Sequence, residues 1–431
     1  MTPAARIAAA IDVLKALEDL RQPLAQVLKE WGARNRFAGS KDRAAISSIL
    51  YDVLRVRASA AWIMGSDAPR ALVLGAMVRA RSMDAAALGV LCTGVAHAPE
   101  PLSDEETARI NAASLDGAPP NVAADVPEWL YPALERAFGD RLSEEAAAMT
   151  RRAPVDVRVN LLKSDRDKAL VTLDHLGFEA CDLSPWGMRA SVGFDGRGPA
   201  LSAEPAFVKG QVEVQDEGSQ LAVLLSGVQP GWQVLDLCAG AGGKTLALAA
   251  MMGNRGQIFA TDSDGRRLMP IYKRLEAAGV RNVQVRAPKG GRDTLGDLDE
   301  RCHLVFADAP CTGSGTWRRN PDAKWRIRPG ALDQRMREQD EVLQSAAAYV
   351  RPGGRIVYVT CSVLQEENED RIAAFLEANS GFAPVEAQAL ANGSGVARLA
   401  NFASPHGPGI RLSPATSHTD GFYIAVLSRL L

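Results

Sequence analysis

Two cysteines and one aspartate follow strand-like runs, and their side chains could carry out nucleophilic chemistry. Asp308 and Cys311 come directly after one apolar run, and Cys361 comes after a later one. A thiolate is a strong nucleophile, and a nearby carboxyl group can hydrogen-bond to the group under attack. Pro310 restricts the backbone beside Cys311, which suits a positioned side chain. We therefore predict that Cys361, Cys311 and Asp308 are catalytic residues.

The remaining cysteines have a simpler interpretation as small buried apolar residues. The chain has 6 cysteines without a C-x-x-C pair, and its 5 histidines are dispersed. This pattern predicts neither a disulfide framework nor a metal site. The cysteines interpreted in this way are Cys92, Cys181, Cys302 and the thiol of Cys238.

A glycine-rich loop follows the strand-like run Gln233–Leu237. Glycines there let the backbone turn tightly and approach a ligand closely. A phosphate loop would need a glycine in place of Cys238, and a dinucleotide fingerprint would need one in place of Thr245. The remaining interpretation is the loop of class I methyltransferases, beside the methionine part of S-adenosylmethionine. The predicted cofactor contacts in the loop are Cys238, Ala239, Gly240, Ala241, Gly242, Gly243 and Lys244.

An acidic residue is expected after the second strand of such a fold, where it can accept hydrogen bonds from the two ribose hydroxyls. Asp262 follows the strand-like run Gln257–Thr261, and Asp264 is the alternative. Asp308, after the fourth strand, is also predicted to contact the cofactor. The expected ligand is therefore S-adenosylmethionine.

Methylation of cytosine at carbon 5 requires a set of groups like this one. Carbon 5 is a poor nucleophile until a thiolate adds to carbon 6 and turns the ring into an enamine. An acid or hydrogen-bond donor at ring nitrogen 3 stabilises the developing charge. The proton on carbon 5 must then leave so that the thiol is eliminated. One nucleophile, one carboxyl group and one group for release are needed, and Cys361, Asp308 and Cys311 provide them.

The elements that position these residues form an α/β fold. From about residue 211, strand-like runs alternate with helix-length segments, which predicts a parallel sheet with helices on both faces. Ligands of such sheets bind outside the carboxyl ends of the strands. Residues 146–210 read as a small α+β subdomain. Residues 1–145 read as helical, with apolar residues at three- and four-residue spacing such as Ile7, Ile11 and Leu14.

Composition excludes some classes of protein. Hydrophobic residues make up 47% of the 431 and charged residues 23%, as in a globular protein. No run of about 18 apolar residues exists, and the first ten residues do not resemble a signal peptide. We therefore expect a cytoplasmic protein without a membrane span. The net charge of −2 means that contact with nucleic acid would need a local basic surface.

One segment after the fourth strand has the composition of such a surface. Cations can contact phosphates, and flat rings can stack on splayed bases. An alternative is a surface loop that its tryptophans anchor. The predicted RNA contacts are Trp317, Arg318, Arg319, Lys324, Trp325 and Arg326.

On these residues the chain resembles the Nol/Nop/Sun family of RNA cytosine-5 methyltransferases, especially its bacterial RsmB-like branch. The resemblance covers roughly residues 150–431. It implies that Cys361 makes the covalent adduct and that Cys311 assists product release. The motifs that carry it are Asp308-Ala309-Pro310-Cys311, Thr360-Cys361-Ser362, Glu366-Glu367-Asn368, Thr419-Asp420-Gly421-Phe422 and the stretch from Gln211 to Gln220.

The helical part is similar to a NusB-like domain, and residues 146–210 to an RNA-recognition-like subdomain. The resemblance implies three domains: a NusB-like RNA-binding domain (1–145), the subdomain (146–210) and a Rossmann-like class I methyltransferase domain (211–431). It also implies small-subunit ribosomal RNA as the substrate. Separately, we expect the protein to be a monomer.

Two departures and two alternatives remain. The family usually has proline where this chain has Ala241, and no acid follows the third strand at Ala287-Pro288 to contact adenine. The alternatives are a methyltransferase acting on tRNA and a non-catalytic RNA-binding assembly factor.

Overall fold

The computed structural model describes residues 1–17, 22–193, 196, 198–288, 290 and 294–431. The chain divides into two compact units. Unit 1 contains Met1–Arg152 and Thr316–Pro329, together with a short piece from Val192. Unit 2 contains Ala153–Ser191, Gly198–Gly315 and Gly330–Leu431. A segment from the middle of the sequence therefore belongs to the N-terminal helical unit.

Unit 1 is helical, and its core is made of the apolar faces of α-helices. Ile46, Leu50 and Leu54 are fully buried on one face of a single helix, at the spacing of an amphipathic helix. Local signals start the helices: the side chain of Thr2 caps the first, and Ser103 forms a capping box with Glu106. The helices are α1 (Pro3–Ala16), α2 (Leu24–Arg34), α3 (Ser40–Arg55), α4 (Arg57–Met64), α5 (Pro69–Arg81), α6 (Ala85–Leu91), α7 (Asp104–Asn111), α8 (Pro120–Ala123), α9 (Tyr131–Phe138) and α10 (Leu142–Thr150).

Unit 2 begins with a small antiparallel sheet. Its strand order is β2-β3-β1-β4. Val157 and Met188 pair across β1 and β3, and both are fully buried. The elements are β1 (Val155–Val159), α11 (Arg166–Leu173), β2 (Glu179–Ala180), β3 (Gly187–Ala190), α12 (Pro205–Val208) and β4 (Val212–Val214).

The second sheet of unit 2 has the order β10-β12-β9-β8-β5-β6-β7, and β11 pairs with β12. Strands β5 to β9 run parallel, and β10, β11 and β12 are antiparallel to their neighbours. The elements are α13 (Glu217–Leu225), β5 (Gln233–Asp236), α14 (Gly243–Met251), β6 (Gln257–Ala260), α15 (Gly265–Leu268), α16 (Ile271–Ala278), β7 (Val283–Val285), β8 (Cys302–Asp308), α17 (Pro321–Arg326, in unit 1), α18 (Ala331–Tyr349), β9 (Val350–Thr360), α19 (Glu369–Ala378), β10 (Phe382–Pro384), α20 (Ala387–Ser394), β11 (Ile410–Leu412) and β12 (Phe422–Arg429).

This architecture confirms the predicted α/β fold, with one difference in a helix. The pattern at residues 265–278 predicts one helix, whereas the structure has α15 and α16, separated at Met269 and Pro270. Proline lacks the amide hydrogen that continues a helix and clashes with the preceding turn, so the helix restarts at Ile271.

The sheet order determines where a ligand can bind. Strand β5 lies between β6 and β8. The chain goes from β5 to β6 on one side and from β8 to β9 on the other, so the loops after β5 and β8 turn away from each other and leave a crevice between them. Because β5, β6, β8 and β9 are parallel, the loops that follow them meet at the same edge of the sheet. In the described parts of the chain, no helix is long and apolar enough to cross a membrane.

Candidate active site

The glycine loop joins β5 to α14 and has a backbone that only glycine adopts easily. Gly240 has φ +51° and Gly242 has φ +85°. A β-carbon on Gly242 would lie 2.4 Å from Cγ1 of Ile271, so a side chain there is excluded by both conformation and space. Helix α16 also holds the loop, because its Arg274 donates a hydrogen bond to the Ala241 carbonyl oxygen at 2.7 Å.

Asp262, rather than Asp264, faces this loop. The Gly240 amide donates to Asp262 Oδ2 at 3.0 Å, and the Asp264 amide donates to Asp262 Oδ1 at 3.0 Å. Arg267 lies 3.3 Å from Asp262. Asp264 instead caps α15 at its amino end. Of the two aspartates, Asp262 is the one that a described hydrogen bond ties directly to the glycine loop, and it stays the predicted ribose contact.

A cavity of about 550 Å³ lies against this edge of the sheet. This volume suits a small-molecule site. Asp262 and the start of the glycine loop line it on one side, while apolar groups line the region after β7, where the sequence lacks an acid. An acidic side chain that can accept hydrogen bonds from ribose, beside apolar groups, fits a nucleoside-containing cofactor, and the charged residues Arg335, Glu338 and Glu341 also line the cavity. Lining residues include Cys238, Thr261, Asp262, Pro288, Leu295 and Pro310.

Lys244 and Asp308 form a close ion pair between the glycine loop and the end of β8. Lys244 Nζ lies 2.5 Å from Asp308 Oδ2, and Lys244 Nζ is also 5.7 Å from the centre of the Phe422 ring. Burial, the largest single effect, lowers the pKa of Lys244, but the Asp308 carboxylate, together with Cys361 and Asp236, raises it, and the net shift is upward. Lys244 therefore stays charged and holds Asp308 beside the carboxyl ends of the strands.

The two predicted cysteines meet. Cys311 Sγ and Cys361 Sγ are 3.4 Å apart, and the Gly315 amide donates to the Cys361 carbonyl oxygen at 2.9 Å. The hydrogen bond to Cys361, with burial next, raises the pKa of the Cys311 thiol well above its ordinary value. Cys311 therefore stays protonated and can donate to the neighbouring sulfur. By contrast, Cys92, Cys181 and Cys302 are buried, and burial raises the pKa of the Cys238 thiol.

The structure adds residues to which the sequence pattern assigned no role. Asp236, at the end of β5, is fully buried and accepts a hydrogen bond from the Thr245 hydroxyl at 2.6 Å. Burial raises the pKa of its carboxyl group to about 7. Glu367 is likewise buried and contacts the loop that carries Cys311. A strand-end aspartate and the Glu366-Glu367 pair were visible in the sequence, but their burial was not.

Three of the six predicted RNA contacts are buried, which corrects the prediction for these three residues. Trp317, Arg318 and Lys324 are at most 5% exposed, because Thr316–Pro329 packs within unit 1. This packing agrees with the alternative of a loop that its tryptophans anchor, because Trp325 Nε1 donates to the Leu54 carbonyl oxygen at 2.7 Å. Side chains already packed in a core cannot stack on bases or reach phosphates.

Further hydrogen bonds tie the same segment to α3. Lys324 Nζ donates to the Arg55 carbonyl oxygen at 3.1 Å, and Arg55 donates back to the Arg318 carbonyl oxygen at 2.9 Å. Burial lowers the pKa of Lys324 to about 8. Of the six predicted RNA contacts, Arg319, Trp325 and Arg326 keep partial exposure.

The sheet order and the groups at its carboxyl edge define a class I methyltransferase domain. Residues 222–428 match the family model described as 16S rRNA methyltransferase RsmB/F. Residues 126–191 match the ferredoxin-like domain of RsmF/B-like methyltransferases. The chain belongs to the RsmB/F methyltransferase family, in agreement with the resemblance seen in its motifs.

Individual relatives support the same assignment. Ribosomal RNA small subunit methyltransferase B of Enterobacter sp. (strain 638) is 33% identical over 307 residues, which cover 70% of this chain and 66% of that protein. The aligned region therefore spans just under two thirds of that relative. A methyltransferase homolog protein from Pyrococcus horikoshii has a TM-score of 0.56 and 28% identity, covering 72% of this chain and 97% of its own. The crystal structure of PH0851 has a TM-score of 0.71 and 24% identity, covers 100% of this chain and 99% of its own, and shows the fold alone.

Proposed function

We propose that the protein is a cytoplasmic, S-adenosylmethionine-dependent RNA methyltransferase that makes 5-methylcytosine in small-subunit ribosomal RNA. The observation that carries this proposal is the pair of thiols 3.4 Å apart, beside an aspartate and a lysine at the carboxyl edge of the sheet. The family to which the chain belongs, and the name of its Enterobacter relative, support RNA as the substrate.

Cys361 acts as the nucleophile in this proposal. Its thiolate forms a bond to carbon 6 of the cytosine, which raises the electron density on carbon 5. The family resemblance gives Cys311 the part in product release rather than in attack, and the upward direction of the Cys311 pKa agrees with a thiol that stays protonated. The target cytosine has to leave its stack to reach a site at a sheet edge.

Cys311 assists product release. After methylation, water takes the proton from carbon 5, and the electrons of that C–H bond form the carbon 5–carbon 6 double bond as the bond from carbon 6 to the Cys361 sulfur breaks. The Cys311 thiol can donate a hydrogen bond to that sulfur as negative charge returns to it. This role requires a protonated thiol, which matches the upward shift of the Cys311 pKa.

As negative charge develops on the ring, the Lys244–Asp308 pair passes a proton to ring nitrogen 3, and the Asp308 carboxylate then accepts a hydrogen bond from that nitrogen. Lys244 also positions Asp308. When bound, S-adenosylmethionine supplies the electrophilic methyl group. The glycine loop from Cys238 to Lys244 would bind its methionine part and Asp262 its ribose. We also propose three domains: an RNA-binding NusB-like domain (1–145), a recognition subdomain (146–210) and a catalytic domain (211–431). The protein acts as a monomer, and Arg319 and Arg326 lie near the RNA.

The test is to incubate the protein with S-adenosylmethionine labelled in the methyl group and with purified small-subunit ribosomal RNA, and to digest the product to nucleosides. We expect the label in 5-methylcytidine. Parallel reactions with bulk tRNA separate the two substrate classes. Label in another nucleoside, in tRNA alone, or in no nucleoside would contradict the proposal.

A further inference from the structure

We propose that Glu367 is a positioning residue that fixes the loop carrying Cys311 against the loop carrying Cys361. The inference rests on the proposed function for the roles of the two cysteines. It concerns a buried side chain that touches neither thiol in the described hydrogen bonds.

Glu367 holds the residue that follows Cys311 by two different groups. Its side chain is fully buried. Oε1 accepts a hydrogen bond from the Thr312 amide at 2.8 Å, and Oε2 accepts one from the Thr312 hydroxyl at 2.5 Å. Two bonds from one residue to one carboxyl group fix its orientation as well as its distance. Thr312 can therefore neither rotate nor shift without losing at least one of these bonds.

The residue that precedes Cys311 is held by the same cluster. Gln339 on α18 is also fully buried, and its side-chain amide donates to Glu367 Oε1 at 3.0 Å. The same nitrogen donates to the Pro310 carbonyl oxygen at 2.9 Å. Pro310 and Thr312, on either side of Cys311, are thus both anchored to one buried Glu367–Gln339 pair. Since proline already restricts its own φ, little backbone freedom is left at the cysteine between them.

The other end of the cluster holds the loop of Cys361. The Tyr358 hydroxyl donates to the Glu367 carbonyl oxygen at 2.6 Å. The next residue, Asn368, donates to the Ser362 carbonyl oxygen at 3.0 Å and accepts from the Thr360 hydroxyl. Residues 367 and 368 therefore contact the residues on both sides of Cys361. A single turn of chain links the two cysteine loops.

A buried carboxyl group in this place is expensive for folding. Burial raises the pKa of Glu367, although the hydrogen bonds from Ser362, Thr312 and Gln339 lower it in part. An apolar side chain of similar volume would avoid that desolvation cost. An apolar residue, however, has no carboxyl oxygens, and the Glu367 oxygens are the acceptors that hold Thr312 and Gln339. The buried carboxyl group helps to keep the two sulfur atoms 3.4 Å apart. This distance matters because a misplacement of about 1 Å can reduce the rate of a catalytic step by roughly 10²-fold.

The inference predicts a defect in one step rather than a general loss. If Glu367 positions Cys311, its removal should slow product release and leave the first methyl transfer largely intact. Glu367→Ala should accumulate the covalent protein–RNA adduct, as Cys311→Ala does, with release slowed by roughly 10²-fold. Glu367→Gln, which keeps the shape and one acceptor oxygen, should recover part of the release rate.

The experiment is a single-turnover reaction of the full chain with labelled S-adenosylmethionine and substrate RNA. Methylated RNA and covalent adduct are both measured with time, and the thermal midpoint of each variant is recorded. Thr312→Val removes only the hydroxyl that bonds to Glu367. Like Glu367→Ala, it should increase the amount of covalent adduct relative to released methylated RNA. The matched control is Glu377→Ala, the same substitution at an exposed site on α19, and it should leave both signals unchanged.

The outcomes separate this inference from the proposed function. If Cys311→Ala forms no adduct, the proposed division of roles fails. If Cys311→Ala traps the adduct but folded Glu367→Ala and Thr312→Val do not, the positioning role of Glu367 is wrong. If Glu367→Ala does not fold, Glu367→Gln and Thr312→Val decide, and normal release in both would overturn the inference.

Discussion

At the scale of single residues, the two cysteines are chemically different although they are neighbours. Cys311 has a raised pKa because it shares a hydrogen bond with Cys361 and is buried. A protonated thiol beside a nucleophilic sulfur can assist departure of that sulfur but is a weak nucleophile itself. The upward direction of the Cys311 pKa therefore agrees with the division of roles that the family resemblance implies.

This division predicts opposite results for two similar substitutions. Cys361→Ala should abolish turnover and form no adduct, because no sulfur remains to attack carbon 6. Cys311→Ala should instead accumulate a covalent protein–RNA complex, since attack proceeds and release does not. Denaturing gel electrophoresis after incubation with RNA and cofactor measures the complex. An adduct in Cys361→Ala and none in Cys311→Ala would reverse the two roles.

Asp308 offers a second residue-scale prediction. Asp308→Asn keeps the size of the side chain but removes the charge that pairs with Lys244 at 2.5 Å. We expect kcat to fall by roughly 10²–10⁴-fold, the usual range for loss of acid–base assistance. Steady-state kinetics with a fixed RNA concentration measure it. Activity within a few-fold of the unmodified protein would show that Asp308 does not assist at ring nitrogen 3.

At the scale of elements, the loops after the parallel strands depend on close approaches that a side chain would block. In Gly242→Ala, the added β-carbon would lie 2.4 Å from Ile271 Cγ1, and the backbone of residue 242 has φ +85°. Cofactor affinity should therefore fall by at least about 10-fold, because both α16 and the loop must shift. Calorimetric titration with S-adenosylmethionine measures this. Gly381→Ala, where the added carbon meets open space, is the control, and an equal loss in both variants would refute the explanation.

Asp236 makes the stability of the large sheet depend on pH. Burial raises the pKa of its carboxyl group from 3.8 to about 7, so the folded state holds this proton more tightly than the unfolded state. Stability from this group is therefore present at low pH and is lost as the pH rises through the folded pKa. The isosteric Asp236→Asn keeps an acceptor for Thr245 and removes the titration.

We expect Asp236→Asn to lose less unfolding free energy than the unmodified protein between about pH 4 and pH 7, the range between the unfolded and folded pKa values. Urea unfolding at several pH values measures the slope. The control is Asp299→Asn at an exposed site, which should leave the slope unchanged. Parallel slopes for Asp236→Asn and the unmodified protein would mean that this carboxyl group does not titrate in that range.

At the scale of the whole molecule, a segment from the catalytic half of the sequence completes the helical unit. Trp325 packs against the apolar core of unit 1 and donates to Leu54. Trp325→Ala should lower the free energy of unfolding by roughly 2–3 kcal/mol, less than for a fully buried tryptophan. The control is Trp62→Ala in the same unit, where 40% exposure predicts a smaller loss.

Urea denaturation and RNA-binding measurements together test this packing. If Trp325 instead stacked on RNA bases, Trp325→Ala would weaken RNA binding and leave the unfolding free energy unchanged. That result would restore the RNA-contact interpretation of the segment.

The sequence predicted features that depend on local pattern, and missed those that depend on tertiary packing. Strand ends followed by Cys, Asp or Gly were visible, and parallel strands bring Asp262, Asp308 and Cys361 to the same edge of the sheet. The cations and tryptophans of residues 317–326 looked exposed, because composition does not show which surface a loop packs on. Glu367 gave no signal beyond its place in a motif, since a buried carboxyl group and an exposed one look alike in sequence.

The most direct test of the proposed function is to identify the residue that bonds to the RNA. RNA in which fluorine replaces the hydrogen on carbon 5 of cytosine cannot lose a proton there, so the adduct should persist after methylation. Mass spectrometry of the digested complex then locates the modified peptide. We predict that the nucleotide is attached to Cys361. Attachment to Cys311, or no covalent complex with a folded protein and bound cofactor, would contradict the proposed mechanism.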